Sequence, residues 1–215
     1  MFFGIKKCFK QLAGITLCVV VLLSMSCPVI AGNQDKTSLL NEVVALRLGM
    51  NGYSIGSKLT ERQKSNGDKK VEAGAYQGTY KFGDNGLFVV VDKKTDRVLA
   101  LYKQQKDADK SQLKGMVVEL MDVFGAPTTM AHDKILYWAF NKHGVISEDD
   151  FDKAKRINQT KALDIIATVK LNSDFAITPD QKKDDKVIKK EAHKGTVYFI
   201  ITSDPLVKQF MENNK

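Results

Sequence analysis

The clearest strand pattern of this chain is YQGTYKFGDNGLFVVVDKKTDRVLALY, residues 76–102. From Tyr76 to Phe82 the residues alternate in the way that is typical of a β-strand with one face against a core. Asp84-Asn85-Gly86 follows as a tight-turn sequence, because Asn and Gly accept the positive φ angles that such turns need. Leu87–Val91 and Val98–Tyr102 predict two further strands. Together these segments indicate a three-stranded antiparallel meander.

Helical patterns stand before and after this meander. Apolar residues recur at helical spacing from Ser38, and Gly49 is placed to end that helix. The stretch Lys64–Gly74 is polar and without periodicity, so we predict a loop there. Ser111–Phe124 carries one apolar stripe at spacings of three and four residues, which predicts a second helix.

The remainder of the chain repeats the order of helix and strands. Three further strands are predicted at Ile135–Phe140, Leu163–Leu171 and Thr196–Thr202, with a long charged loop between the last two. Ser147 caps a short helix and Asp204-Pro205 opens a terminal one. We therefore predict an α+β fold, a helix followed by a three-stranded antiparallel sheet in two tandem units, residues 32–108 and 109–215.

The first 31 residues have the layout of a secretory signal peptide. A basic head is followed by an apolar run that is densest at Ile15–Leu23, then by Pro28 and by the small residue Ala31 at a cleavage position. The basic residues of the head are Lys6, Lys7 and Lys10. We predict that residues 1–31 are a signal peptide and that the protein is exported, to the periplasm or to the outer membrane.

Three outcomes of this leader stay open. Cleavage after Ala31 leaves a mature chain that begins at Gly32 and diffuses freely. Lipidation at Cys27 tethers the chain to a membrane, and Ser26 supplies the small residue that such processing needs before the cysteine. Retention of the leader anchors the chain, since Gln11–Ala31 is long enough to cross a bilayer, which needs ~20 residues. Membrane contact is expected only in the last two cases.

Composition limits the chemistry of the mature chain. All three cysteines lie within the first 31 residues, so the mature chain holds no internal disulfide, thiol nucleophile or thiolate ligand. Without the three leader lysines, 30 basic residues stand against 25 acidic ones, a net charge of +5 with interleaved signs. This pattern is typical of a solvated surface or of weak attraction to anionic surfaces. We predict no nucleic-acid partner.

We predict neither a catalytic residue nor a metal site nor a cofactor. The histidines of the mature chain, His132, His143 and His193, lack the spacing of convergent metal ligands. His132-Asp133 is a candidate acid–base pair, although adjacent loop side chains usually point apart. The acidic residues at 148–152 suit a helix N-terminus better than a calcium loop.

Aromatic residues concentrate in the predicted strands and are the candidates for a binding surface. Tyr76, Tyr80 and Phe82 are predicted to share one strand face, whereas Trp138 points away from Tyr137 on its own strand. Such residues fill cores, and tyrosine and tryptophan also serve as contact anchors for partners. The sheet face that the helices leave bare is therefore the predicted binding surface, and we expect Tyr80 and Trp138 to be replaceable without loss of the fold.

One segment resembles a known family of exported modules. Phe124-Gly125-Ala126-Pro127 after a helix, followed by Leu136-Tyr137-Trp138 in a strand, is similar to the outer-membrane assembly lipoproteins of the BamE/SmpA type and the β-lactamase inhibitory proteins. Gly115-Met116 is similar to the Gly-Met that opens the helix of that family, but it lies inside the predicted helix. The resemblance implies an α+β module that binds another protein and catalyses nothing.

The sequence thus favours an exported bacterial envelope protein that acts as a non-catalytic protein-interaction module, with another envelope or secreted protein as its partner. Two alternatives stay open. A periplasmic hydrolase would use Ser or Thr with His132 or His193, because active sites need not be local in sequence. A small-ligand or lipid carrier would need a cavity between sheet and helices, for which Met116 and Met121 would be an adaptable lining.

Overall fold

The computed structural model describes residues 31–67, 72–74, 76–177 and 194–213, with side chains from Ser38 onward. Residues 1–30 of the predicted signal peptide, which include the candidate lipidation site Cys27, lie outside the described residues, as does His193. Residues 31–215 form one compact unit.

Five α-helices and eleven strands make up the described part of the chain. The helices are α1 (Ala31–Ala45), α2 (Glu61–Gly67), α3 (Lys110–Phe124), α4 (Glu148–Arg156) and α5 (Asp204–Glu212), with a 3-10 turn at Thr160–Leu163. The strands of the first half are β1 (Gly49–Met50), β2 (Tyr53–Ser54), β3 (Glu72–Ala73), β4 (Thr79–Asp84), β5 (Leu87–Asp92) and β6 (Val98–Ala108). Those of the second half are β7 (Thr129–Ala131), β8 (Ile135–Asn141), β9 (Gly144–Val145), β10 (Ala167–Ser173) and β11 (Gly195–Thr202).

Nine of these strands form one antiparallel sheet in the order β3-β4-β5-β6-β11-β10-β8-β7, with β9 paired to β8. The predicted α+β class is confirmed, but the prediction of three-stranded sheets is wrong. The reason is β6, which continues past Tyr102 to Ala108 and pairs with β11. Its second half, Lys103-Gln104-Gln105-Lys106, is polar on both faces and carries no strand signal of its own. A duplication of 32–108 and 109–215 stays a prediction.

Two other segments differ from the prediction. The predicted loop at Lys64–Gly74 contains the second turn of α2 and the edge strand β3. Thr60 and Gln63 cap α2 reciprocally, since the Gln63 side chain accepts from the Thr60 N–H at 2.8 Å. The predicted strand at Leu163–Leu171 begins only at Ala167, because the 3-10 turn ends in a left-handed residue, Asp164, with φ of 50°.

Helices α1, α3 and α5 cover one face of the sheet, which we call the packed face. Leu113, Leu120 and Phe124 of α3 are buried against it. The Phe124 ring centroid lies 6.3 Å from that of Trp138 on β8 and 6.4 Å from that of Phe199 on β11. Apolar side chains of α1, of the β1–β2 hairpin and of α5 join the same core. The opposite face, which we call the open face, meets α4 at its β8 end, where Phe151 contacts Tyr137 and Ala139 is fully buried. The central part of the open face has no comparable layer of helices among the described residues.

Both ends of α3 are fixed by local chemistry. Asp109 and Gln112 form a capping box, in which each side chain accepts from the backbone N–H of the other. Gly125 follows the last turn at φ of 77°, a conformation that glycine adopts without strain. The Trp138 indole N–H donates to the Gly125 carbonyl at 2.9 Å, which ties this end of α3 to β8.

The β1–β2 hairpin is attached to the packed face through Tyr53. This tyrosine is 2 % exposed, and its ring meets that of Phe82 edge-on at 5.9 Å. Its hydroxyl donates to an Asp84 carboxylate oxygen at 2.7 Å, at the turn between β4 and β5. Burial, together with the Asp84 carboxylate, raises the pKa of Tyr53 to about 12.

Alkaline unfolding tests this attachment. In the unfolded chain Tyr53 ionises near pH 10, whereas in the folded protein it resists ionisation until about pH 12. Its contribution to stability is therefore complete below pH 10 and is lost as the pH rises through 12, a loss of about 3 kcal/mol over this window. Urea unfolding at several pH values should show the stability difference between the wild type and Tyr53→Phe shrinking by this amount. Parallel pH profiles for the two proteins would contradict the assignment.

Thr128 provides a second test, at the junction of β8 and β9. Its hydroxyl is fully buried, donates to the Ile146 carbonyl at 2.7 Å and accepts from the Ala139 N–H at 2.9 Å. Thr128→Val leaves both backbone groups buried and unpaired, so we expect a loss of about 2–4 kcal/mol in urea unfolding. Thr129→Val, at the next and half-buried position, is the matched control and should change stability by less than about 1 kcal/mol.

Candidate functional site

The open face is a set of three rows of side chains that cross the sheet, as given by the strand registers. The central row contains Gly83, Phe88, Tyr102, Ile200, Lys170, Tyr137 and Thr129. One flanking row contains Lys81, Val90, Ala100, Thr202, Thr168 and Ala139. The other contains Gln104, Tyr198, Asn172, Ile135 and Ala131.

Aromatic contacts organise the central row. Phe88 and Tyr102 stack with ring centroids 4.7 Å apart and planes 12° apart. At the other end, the Lys170 ammonium lies 5.6 Å from the centre of the Tyr137 ring, and Tyr137 also meets Phe151 of α4 at 6.4 Å. Such pairs prefer fixed geometries, so the row is a preorganised surface.

The open face is too apolar for an ordinary solvated face. An antiparallel sheet with one face in water normally presents polar side chains there. Here the half-buried residues Phe88, Val90, Tyr102 and Ile200 occupy neighbouring positions of three strands, and Tyr198 is 38 % exposed beside them. Contiguous apolar surface of this kind marks interaction sites.

Charge on the open face is mostly basic. Lys81 and Lys170 stand in the rows, and the register continues the Lys81 row to one acidic residue, Glu72 of β3. Lys81 pairs with Glu72 of the edge strand at 2.8 Å, which raises the pKa of the lysine. Among the described residues, no carboxylate forms an ion pair with Lys170. The centre of the open face is therefore a cation among aromatic and aliphatic side chains.

Polar atoms without a partner lie on the same strand as Lys170. Thr168 Oγ1 and Asn172 Oδ1 are buried and make no hydrogen bond among the described residues. Both residues lie two positions from Lys170 along β10, on the same face. Unpaired buried polar atoms are uncommon in native proteins, and functional surfaces are one place where they occur.

A groove of about 530 Å³ continues the open face toward α5. Its lining includes Tyr137 and Thr168 from the sheet and Asp204 and Lys208 from the helix. Burial, and to a smaller extent the Asp204 carboxylate, raises the pKa of Tyr137. The groove thus has both a carboxylate and an ammonium group at its helix side, next to the phenol of the central row.

The structure separates the five predicted binding residues. Tyr137 lies on the open face, half-buried, and Trp138 points to the opposite side as the alternation predicts. Phe82 and Trp138 are 1 % and 0 % exposed in the core, so neither is available to a partner. The expectation that Trp138 is replaceable without loss of the fold is wrong, because its ring packs against Phe124 and its N–H is bonded to the backbone.

The predicted strand face shared by Tyr76, Tyr80 and Phe82 is also incomplete. β4 begins at Thr79, so Tyr76 precedes the strand in a turn and is 48 % exposed. Tyr80 stacks on Phe82 at 6.2 Å on the packed face and is half-buried. Neither Tyr76 nor Tyr80 belongs to the three rows of the open face.

The candidates for acid–base and carrier chemistry are dispersed. His132 and Asp133 are exposed in the β7–β8 turn at φ of 52° and 54°, where they form the tight connection. Ser147 caps α4 by accepting from the Asp150 N–H at 3.1 Å, so the acidic cluster occupies a helix N-terminus. Met121 is 42 % exposed and therefore does not line a cavity under α3.

Among the described residues, no group of three His, Cys, Asp or Glu side chains converges in a way that suits a metal ion. In the same part of the chain, none of the helices combines the length and the apolar character needed to cross a bilayer.

Comparison of the chain with models of protein families, with curated proteins and with solved structures finds no match. The resemblance to exported BamE/SmpA-type modules therefore stays a prediction. The geometry of the open face is the basis for any functional proposal.

Sequence reasoning missed most of the open face, including Phe88, Tyr102, Lys170, Tyr198 and Ile200. A signal for part of it stands in β5, whose sequence Leu87–Val91 is apolar at every position. A strand of this kind is covered on both faces in a sheet. Lys170 had no such signal, because its position between Ile200 and Tyr137 depends on strand pairing.

Replacing two adjacent residues of β8 separates the roles of the two faces. Trp138→Ala removes a fully buried ring and should lower the free energy of unfolding by about 3–5 kcal/mol. Tyr137→Ala, on the open face, should lower it by only about 1 kcal/mol. Urea unfolding followed by circular dichroism measures both, since Trp138 is the single tryptophan and fluorescence would be lost with it. Equal losses for the two variants would contradict the assignment of the faces.

Proposed function

We propose that this chain is an exported bacterial envelope protein that acts as a non-catalytic protein-interaction module, and that the open face is its binding surface. The observation that carries the proposal is the central row, an aromatic and aliphatic surface around Lys170 on the side of the sheet opposite the helices. Export is supported by the signal-peptide layout of the first 31 residues.

The composition of the open face suits a protein partner. Tyrosine is enriched at the energetic centres of protein interfaces, because it offers a large rigid surface and a polar end with few rotatable bonds. Tyr102, Tyr137 and Tyr198 present such side chains from three different strands. A partner that covers them would remove apolar surface from water at little entropic cost.

The resemblance of the α3–β8 segment to exported binding modules supports the same class of function. α3 ends at Phe124, Gly125 and Pro127 follow, and the aromatic strand β8 comes next. In this chain the resembling segment builds the packed core, so any binding role belongs to the opposite side of β8.

Site-specific photocrosslinking in the native bacterium tests the proposal. We expect p-benzoylphenylalanine at Tyr102 or Ile200 to give the same discrete adduct with an envelope protein. Val118, which is 50 % exposed on α3, is the matched control position and should give no such adduct. Adducts of equal yield from all three positions, or none from the open face, would contradict the proposal.

A second substitution, made in the protein that carries the crosslinker at Ile200, extends this test. Tyr102→Ala should reduce the yield of the adduct from Ile200 by about tenfold, the loss typical of a central interface tyrosine. Val118→Ala should leave it unchanged. Thermal unfolding of both variants shows whether a lower yield reflects the surface rather than loss of the fold.

A further inference from the structure

Charge and shape restrict the partner further. Building on the proposed function, we infer that the open face binds an acidic amphipathic helix of the partner, with a carboxylate placed over Lys170. The surface is the one proposed above, and the inference adds the charge and the secondary structure of the segment that binds there.

The length of the central row matches a helix. From Phe88 to Tyr137 the row crosses five adjacent strands, and four spacings of ~4.8 Å give a length of about 19 Å. A helix rises 1.5 Å per residue, so about 13 residues span this distance. Helices cover the packed face of the same sheet, and α4 meets the Tyr137 end of the open face through Phe151. A helix along the rest of the row would extend this second layer.

Lys170 determines the charge of this helix. It lies between Ile200 and Tyr137 in the row, half-buried, with its ammonium over the Tyr137 ring and with no carboxylate paired to it among the described residues. A partner with an apolar surface alone would cover this ammonium and leave it without a counter-ion, which is unfavourable. A carboxylate at this point supplies the counter-ion, and the acidic residue that the register adds to this face, Glu72, is already paired with Lys81.

The same charges disfavour a second copy of this chain as the occupant. Two open faces brought together place lysines of both copies on one interface, and the acidic residue of this face, Glu72, is already paired with Lys81. Like charges in contact oppose association.

Three synthetic 14-residue peptides serve as probes. One has a leucine stripe flanked by glutamates, the second has lysine at each glutamate position, and the third has the composition of the first with the leucines scattered. We expect the acidic amphipathic peptide to bind the mature protein at least about tenfold more tightly than the other two in fluorescence anisotropy. Equal affinity for the lysine peptide, or no binding of any of the three, would overturn the inference.

Variants locate the interaction. Lys170→Glu should lower the affinity for the acidic peptide by about tenfold, and Lys170→Gln should lower this affinity less. Lys114→Glu, at an exposed position of α3, is the matched control with the same change of net charge and should have no effect. Equal losses from the changes at Lys114 and Lys170 would show a general charge effect and contradict the inference. Circular dichroism checks that each variant is folded.

Two further readouts distinguish the possible failures. Envelope adducts from Tyr102 and Ile200 that persist in Lys170→Glu, together with no preference for the acidic peptide, would refute the acidic helix while the proposed function stands. If the wild-type protein gives no such adducts, both the acidic helix and the proposed function are refuted. The second readout is cosedimentation with vesicles of phosphatidylcholine and phosphatidylglycerol. If the protein binds these vesicles more tightly than it binds the acidic peptide, and if substitutions at Lys170 and Tyr102 abolish vesicle binding, the open face binds a lipid surface and the inference is overturned.

Discussion

The antiparallel pairing of β6 with β11 is the interaction on which the other features of this molecule depend. It joins the meander of the first half to the strands of the second half and makes one sheet of them. On one side it places Leu101 beside Ile201 in the core, and on the other it places Tyr102 beside Ile200 in the central row. Core and candidate site are thus two sides of the same register, and a shift of one residue would exchange them.

Much of the local structure was predictable because it is encoded over short distances. The apolar stripe of α3, the turn Asp84-Asn85-Gly86 and the capping residue Ser147 each reflect a neighbour-to-neighbour preference that tertiary packing leaves intact. The pairing of β6 with β11 was not predictable in this way. Its partners stand 94 residues apart at Gln104 and Tyr198, and the polar second half of β6 is ordered by pairing rather than by its own propensity.

The candidate site shows the same division between local and long-range information. Alternation along β8 is enough to place Tyr137 and Trp138 on opposite faces. Which face the helices cover depends on Phe124, whose ring reaches Trp138, Phe140 and Phe199 at once. Tyrosine and tryptophan are equally plausible as anchors until this packing is known, so residue type alone selects core residues as readily as surface ones.

The order of the strands in the sheet has a consequence for a chain that is made from its N-terminus. β6 is synthesised 94 residues ahead of its partner on β11, a delay of about 5–20 seconds at ordinary rates of synthesis, and an exported chain would emerge from the membrane in the same order. During this interval one edge of the new meander has free backbone groups that can pair with another chain. Lys103 and Lys106 lie on that edge, and their charges discourage such pairing. The charged side chains in the second half of β6 thus oppose aggregation until β11 pairs with this edge.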